Sequence, residues 1–106
     1  MVPEFDAYQS GWGSELLCPN CGFNYLHHEH VEIFERGEDQ RQGVHVTVAD
    51  GKATFDTSLD GNPSSRRHGL LVRFWCEGCK AKPVLTISQH KGNTVVDFIH
   101  SGEVEE

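Results

Sequence analysis

Two Cys-x-x-Cys motifs decide the fold of this chain: Cys18-Pro19-Asn20-Cys21-Gly22 near its start and Cys76-Glu77-Gly78-Cys79-Lys80 near its end. Two intervening residues allow a tight turn to point both sulfurs at one ion, and backbone N–H groups of the turn can donate to the thiolates. Pro19 fixes φ in the first turn, and Gly22 can adopt the positive φ that closes it. Two such knuckles supply four sulfurs in a tetrahedral arrangement. The sequence therefore predicts a closed structural zinc site.

The metal and its number follow from the cysteine count. The chain has four cysteines, and the predicted ligands are Cys18, Cys21, Cys76 and Cys79. Four ligands fill one tetrahedron, so we expect one Zn²⁺ per chain and no spare thiol to act as a nucleophile. Iron in the same cage is the less favoured alternative, because sulfur ligands do not by themselves distinguish zinc from iron. A third interpretation is two reduced thiol pairs without metal.

Length and composition limit the remaining fold classes. A chain of 106 residues fits one domain. Phe, Leu, Ile and Val number 26 of its residues, above the level of about one fifth below which chains usually stay disordered. The longest aliphatic run is Leu70-Leu71-Val72, whereas a membrane-spanning helix needs about 20 apolar residues. Composition thus excludes a membrane span, a coiled coil and a collagen-like chain.

Charge is distributed unevenly along the chain. The formal net charge is −7, made up of −7 in residues 1–40, +3 in residues 41–82 and −3 in residues 83–106. Nucleic acid repels an acidic chain at long range, but the middle segment can still present a local basic face. The alternative is that these charges only keep the domain soluble. The candidate contacts to a partner or to nucleic acid are Arg66, Arg67, Arg73, Trp75, Lys80 and Lys82.

Alternating apolar residues and turn signals predict an all-β fold. Val44, Val46 and Val48 alternate with polar residues, and Asp50-Gly51 follows, a strong signal for a two-residue hairpin. This hairpin is inserted between the knuckles. Further strands are predicted at residues 25–34, 70–76, 83–90 and 94–100. The fold class is a small antiparallel sheet, zinc-ribbon-like, with an N-terminal arm (1–15), a ribbon-like domain (16–101) and an acidic tail (102–106).

Three histidines follow the first knuckle closely. On a regular strand, His28 and His30 share one face and His27 takes the other. Two histidines at i and i+2 can chelate a metal, so a second metal site is one interpretation. A solvated or packed strand face is the other. A further ligand for such a site would come from His45, His90 or His100.

The strand-knuckle-strand-turn-strand unit at residues 70–100, taken with Cys18 to Gly22, resembles a zinc ribbon. The resemblance covers under half of the chain. It implies the metal and the ribbon topology, but ribbons serve many functions. The wider layout also resembles small accessory proteins of bacteriophages and prophages. It consists of Cys-Pro-Asn-Cys-Gly, a β insert, Phe74-Trp75-Cys76 and Gln89-His90-Lys91-Gly92-Asn93.

These observations favour a non-enzymatic zinc protein that acts as an adaptor or accessory protein through contacts with another protein. The sequence contains no recognisable acid–base pair, Ser–His–Asp set or phosphate-binding loop, so we expect no enzymatic activity. The alternatives are a nucleic-acid-binding ribbon and a rubredoxin-like iron electron carrier. Residues 1–6 lack a basic and apolar leader, so we expect a cytoplasmic protein with reduced thiols and no membrane partner. The sequence leaves the oligomeric state open.

Overall fold

The computed structural model describes residues 1–99, and these form an all-β protein built on one six-stranded antiparallel sheet. The spatial order of the strands is β3-β2-β1-β4-β5-β6. The predicted fold class is therefore confirmed, including the hairpin inserted between the knuckles. The strands are β1 (Leu26–Glu35), β2 (Val44–Ala49), β3 (Lys52–Asp56), β4 (Gly69–Cys76), β5 (Val84–His90) and β6 (Asn93–Ile99).

Two tight hairpins set the register of the outer strands. Asp50 and Gly51 both have positive φ, 55° and 75°, and so do Lys91 and Gly92, 51° and 88°. Positive φ at both central residues is the type I′ turn, whose twist matches that of antiparallel strands. The β5–β6 connection is thus a two-residue turn, with His90 paired to Asn93, and the strand begins one residue before its predicted start.

Strands β1 and β4 lie at the centre of the sheet and run antiparallel. Their pairing places Leu26, at the start of β1, opposite Cys76, the last residue of β4. Because the first knuckle precedes β1 and the second follows β4, this register brings both knuckles to the same end of the sheet. We call it the knuckle end, formed by residues 18–23 and 76–79.

One face of the sheet, here called the covered face, is overlaid by the loop at residues 57–68. The covered face carries Glu32, Phe34, His45, Leu71, Val84 and Thr86. Phe34 and Val84 are fully buried, and Leu59 from the loop packs against this cluster. Gly69 allows the close approach, since a Cβ there would lie 2.2 Å from Asn62 Oδ1 and 2.8 Å from Pro63. Ser64 secures the loop by donating to the Gln89 carbonyl at 3.0 Å.

The opposite face of the sheet, here called the open face, is formed by two apolar rows that each cross all six strands. Paired residues of neighbouring antiparallel strands share a face, so the register defines both rows. The first row is Phe55, Val46, Ile33, Leu70, Ile87 and Val96, and the second is Ala53, Val48, Val31, Val72, Leu85 and Phe98. Apart from Phe98, which is buried, these side chains are half-buried or exposed.

The N-terminal residues form an irregular hairpin beside the sheet. Phe5 pairs with Leu16 and Gln9 with Gly13 as isolated bridges, and the Met1 carbonyl accepts from Phe98 N–H at 3.0 Å on the outer side of β6. The proposed division at residues 15 and 101 stays a prediction, and the acidic tail lies outside the described residues. No stretch of residues 1–99 forms a helix suited to crossing a bilayer.

Candidate metal centre

The sulfur atoms of Cys18, Cys21, Cys76 and Cys79 lie within 4.8 Å of one another. Cys18 Sγ is 3.8 Å from Cys79 Sγ, and Cys21 Sγ is 3.6 Å from Cys76 Sγ. A tetrahedral ion with metal–sulfur bonds of about 2.3 Å requires sulfur–sulfur separations of about 3.8 Å. The four thiols therefore fit a single tetrahedral metal ion, and the structure brings together the four cysteines that the sequence predicted as ligands.

The first knuckle owes its shape to backbone hydrogen bonds around Cys18. Gly22 N–H donates to the Cys18 carbonyl at 2.8 Å, and Cys18 N–H donates to the Phe23 carbonyl at 2.8 Å. Gly22 has φ +80°, a left-handed conformation in which a Cβ costs about 1–2 kcal/mol. The glycine after the Cys-x-x-Cys motif thus closes the turn, as the sequence predicted.

The two knuckles interlock through groups that are not metal ligands. Glu77 N–H donates to the Tyr25 carbonyl at 3.1 Å, which ties the second knuckle to the chain that leaves the first. The Phe23 ring lies directly on the backbone of Gly78, where a Cβ would come within 2.8 Å of Cδ2. The ring of Phe23 also meets Tyr25 edge-on at 5.2 Å. The thiol pairs are therefore held together by packing as well as by a shared ion.

Backbone and side-chain N–H groups point at the sulfurs. Asn20 N–H donates to Cys18 Sγ at 3.4 Å, and Gly78 N–H donates to Cys76 Sγ at 3.3 Å. The Asn20 side-chain amide also donates to Cys79 Sγ at 3.4 Å, so Asn20 contacts a sulfur from each knuckle. Donors aimed at sulfur favour the thiolate form, which is the form that binds metal.

The thiols respond differently to these surroundings. The Asn20 side chain lowers the pKa of Cys79 to about 7, while burial raises the pKa of Cys18. The backbone N–H of Phe23 favours the Cys21 thiolate, but desolvation and the neighbouring thiols outweigh it and raise the pKa of Cys21 to about 12. Four adjacent thiolates repel one another, so a bound cation is needed to ionise all of them at neutral pH.

The candidate contact residues are spread over the molecule instead of forming one basic face. At the end of the sheet opposite the knuckle end, here called the loop end, Arg66 pairs with Asp39 at 2.7 Å and with Glu38 at 2.9 Å, and Arg67 pairs with Glu38 at 2.7 Å. These two arginines are therefore already neutralised by nearby carboxylates.

The other four candidates lie nearer the knuckle end. Trp75 stacks on the ring of His27 at 4.3 Å, and Lys82 is 3.8 Å from Glu29. Arg73 and Lys80 have no ion-pair partner within residues 1–99. Two of the five basic candidates, Arg73 and Lys80, are thus free of a carboxylate within the described residues.

A β-bulge changes the predicted arrangement of the three histidines. The register between β1 and β4 shifts between His28 and His30, so no residue of β4 is paired with Glu29 in the sheet. His27 and His30 consequently share the face of Trp75, and His28 takes the other, so the prediction that His28 and His30 share a face was wrong. His27 bonds Glu77, and His30 bonds Glu32 at 2.9 Å.

No second metal site forms among these histidines. Within the part of the chain that the structure describes, the four cysteines are the one group of His, Cys, Asp or Glu with three or more converging ligand atoms. His100 lies outside that part. His45, a candidate further ligand, instead bonds carboxylates on both sides of its ring.

Sequence reasoning missed this ionic cluster on the covered face. His45 Nε2 lies 2.9 Å from Glu32 and its Nδ1 lies 2.8 Å from Asp56, while its ring stacks on Phe34 at 4.4 Å. Burial opposes the charged forms of His45 and Glu32. Hydrogen bonds to Asp56 and Glu32 nevertheless raise the pKa of His45. Hydrogen bonds to His30 and His45 lower the pKa of Glu32. Only the strand register brings these side chains together, and the sequence gives no direct sign of it.

Comparison with known proteins adds no relative. No family model, curated protein or solved structure matches this chain. The likeness to zinc ribbons therefore rests on the ligand set and on the local strand-knuckle-strand topology, and the likeness to bacteriophage proteins rests on sequence layout alone.

Proposed function

We propose that this chain is a non-enzymatic structural zinc protein that acts through contacts with protein. The observation that carries the proposal is the set of four sulfurs spaced for one tetrahedral ion. Zinc is the favoured ion because it accepts four thiolates in a closed site and undergoes no redox change. In the cytoplasmic setting that we propose, the thiols stay reduced and available to the metal.

The donor set argues against catalysis at the metal. Catalytic zinc keeps one coordination position for water or substrate, whereas the four protein sulfurs here would fill all four positions of a tetrahedral ion. Cys18 and Cys76 are buried, so an ion held by the four sulfurs would have protein on one side. A hollow of about 290 Å³, lined by residues such as Ile33, Leu70 and His68, lies at the loop end of the sheet, away from the sulfurs.

Charge favours protein over nucleic acid as the partner. The chain has a net charge of −7, and four thiolates with one Zn²⁺ make the folded protein more acidic still. Two of the six candidate contact residues, Arg66 and Arg67, already pair with Glu38 and Asp39. An accessory role in a bacteriophage, suggested by the sequence layout, is one setting for such a protein.

Metal analysis of the purified protein tests the metal part of the proposal. We expect one zinc per chain and a colourless solution, whereas iron would give visible sulfur-to-iron absorption. Cys21→Ser should lower the metal content sharply, while Ser14→Ala, a matched change outside the knuckles, should not. Absence of a stoichiometric metal would overturn the proposal, and a coloured protein with one iron would favour the rubredoxin-like alternative.

Binding to oligonucleotides tests the choice of partner. A nucleic-acid-binding ribbon loses affinity steeply as salt is added, because phosphate contacts release counterions. We expect no salt-dependent binding to single-stranded or duplex DNA or RNA. Tight binding that Arg73→Ala and Lys80→Ala abolish would contradict a protein-contact function and support the nucleic-acid alternative.

A further inference from the structure

The open face is unusual for the surface of an acidic protein. Its two rows contain twelve residues, all apolar, and no residue of either row carries a charge. Phe55 is 72% exposed, and Val48 and Val96 are each 42% exposed. Antiparallel sheets in water normally alternate apolar and polar faces, with the apolar face packed on a second layer. Within residues 1–99, no second sheet covers the rows, and Phe98 alone among the twelve is fully buried.

We propose that a second copy of this chain covers the open face, forming a two-sheet sandwich. This inference rests on the proposed protein-contact function and names the partner. Sheets that pack face to face keep their strands within about 30° and lie about 10 Å apart, with interdigitating side chains. Such a dimer would give the single layer of this chain the packing that its sequence pattern requires.

Net charge restricts how a second copy can bind. Two chains of net charge −7 repel each other, so close contact between copies needs a surface without charge, and the two rows provide one. Polar residues border the first row: Glu35 lies beyond Ile33 on β1, and Gln89, beyond Ile87 on β5, pairs with Thr94. An apolar centre with a polar rim is the usual organisation of a protein interface.

The size of the open face suits a small dimer. Six strands spaced about 4.8 Å apart, and three rows of about 6.8 Å including the rim, give a projected area of about 600 Å² per copy. Two copies would therefore bury about 1,200 Å², the lower end of the range for specific interfaces. The largest apolar patch on a typical monomer covers about 300–600 Å² and is often functional.

The shape of the open face also complements itself. Phe55 lies on β3 at one edge of the first row, and the smaller Val96 lies on β6 at the other edge. A twofold axis parallel to the strands sets β3 of each copy over β6 of the other. The bulky Phe55 then faces Val96 of the second copy, and the interior strands β1 and β4 face each other.

Sedimentation equilibrium of the zinc-loaded protein tests the proposal with a matched pair of variants. Val95 and Val96 are neighbours on β6, 45% and 42% exposed, and point to opposite faces. We expect wild type to dimerise, Val96→Lys to weaken dimerisation at least about 10-fold, and Val95→Lys to change it less than about threefold. Phe55→Lys should weaken it at least about 100-fold, with Thr54→Lys as its opposite-face control.

Zinc content and circular dichroism of each variant separate this proposal from the function on which it rests. These positions are exposed, so each variant should keep one zinc and the wild-type spectrum. A wild-type monomer at about 100 µM that retains its zinc would overturn the dimer and leave the zinc proposal intact. A dimer that Val95→Lys and Val96→Lys affect equally, or an open face that binds a different protein in a monomeric chain, would also overturn it. Absence of zinc would instead contradict the proposed function.

Discussion

The knuckle end and the covered face hold this chain together in different ways. At the knuckle end, four sulfurs from two distant segments converge on one point, and two of the four cysteines are buried. On the covered face, the buried apolar cluster consists of only Phe34, Leu71 and Val84, with Leu59 beside it. A core this small adds to the stability only the apolar burial of a few side chains. A metal site adds the free energy of metal binding, and it does so at a single point. The comparison teaches that stability here is concentrated at one end of the sheet.

Removal of the metal should have the largest effect. Binding of structural zinc is worth about 10–16 kcal/mol, comparable to the whole stability of a small domain at about 5–15 kcal/mol. We therefore expect a strong chelator to abolish the cooperative thermal transition seen by circular dichroism, and zinc to restore it. An unchanged melting curve after verified metal removal would show that the covered face alone can hold the fold.

Truncation of Phe34 tests the other half of the comparison. Its side chain is fully buried, stacked on His45 at 4.4 Å and covered by the loop near Gly61. Phe34→Ala should lower the free energy of unfolding by about 3–5 kcal/mol at constant zinc occupancy. Denaturant titration with excess zinc provides the measurement. Phe5→Ala, at a side chain that is 54% exposed, is the control and should change stability by less than about 0.5 kcal/mol.

A methyl group at Gly78 probes how closely the knuckles interlock. A Cβ at this position would lie 2.8–3.1 Å from three atoms of Phe23. One of them is the Cβ of Phe23, which a rotation of the Phe23 side chain does not move. We expect Gly78→Ala to cost about 1–3 kcal/mol of stability in the zinc-loaded protein, as other overpacked substitutions do. The double variant Gly78→Ala/Phe23→Ala should lose less than the sum of the single changes. Strict additivity would mean that the clash is not the cause.

The sequence was sufficient for the parts of the fold that depend on local chemistry. Asp50-Gly51 and the alternating valines predicted the β2–β3 hairpin, and the Cys-x-x-Cys spacing predicted both turns of the metal centre, because each signal acts within a few residues. The bulge at Glu29 could not be predicted, since it depends on how β1 meets β4. The cluster of Glu32 and His45 was missed for the same reason: residues 13 apart in sequence meet only through strand register.

Changes to the cluster of Glu32 and His45 should have the smallest effect on stability. The direction of its pH dependence follows from the protonation state of His45 that the hydrogen bonds require. His45 meets Asp56 through Nδ1 and Glu32 through Nε2, so both ring nitrogens donate only when the imidazole is protonated. The raised pKa of His45 means that its stabilisation is complete below the ordinary value of 6.5 and is lost as the pH rises through the folded-state pKa. The pKa of Glu32 is lowered from its ordinary value of 4.5. Its stabilising contribution is therefore present above pH 4.5 and is lost as the pH falls through the folded-state pKa.

We therefore expect His45→Gln to destabilise the zinc-loaded protein by about 1–2 kcal/mol near pH 6, and by less near pH 8.5, because the contribution of the protonated imidazole falls as the pH rises through its raised folded-state pKa. Denaturant titrations of wild type and variant at both pH values measure the gap, and the pH dependence of metal binding cancels because both proteins keep the same ligands. His90→Gln, at an exposed position at the end of β5, is the control and should change the free energy of unfolding by less than about 0.5 kcal/mol. If the His45→Gln gap is equal at both pH values, the histidine stabilises the covered face through its stacking on Phe34 and not through its charge.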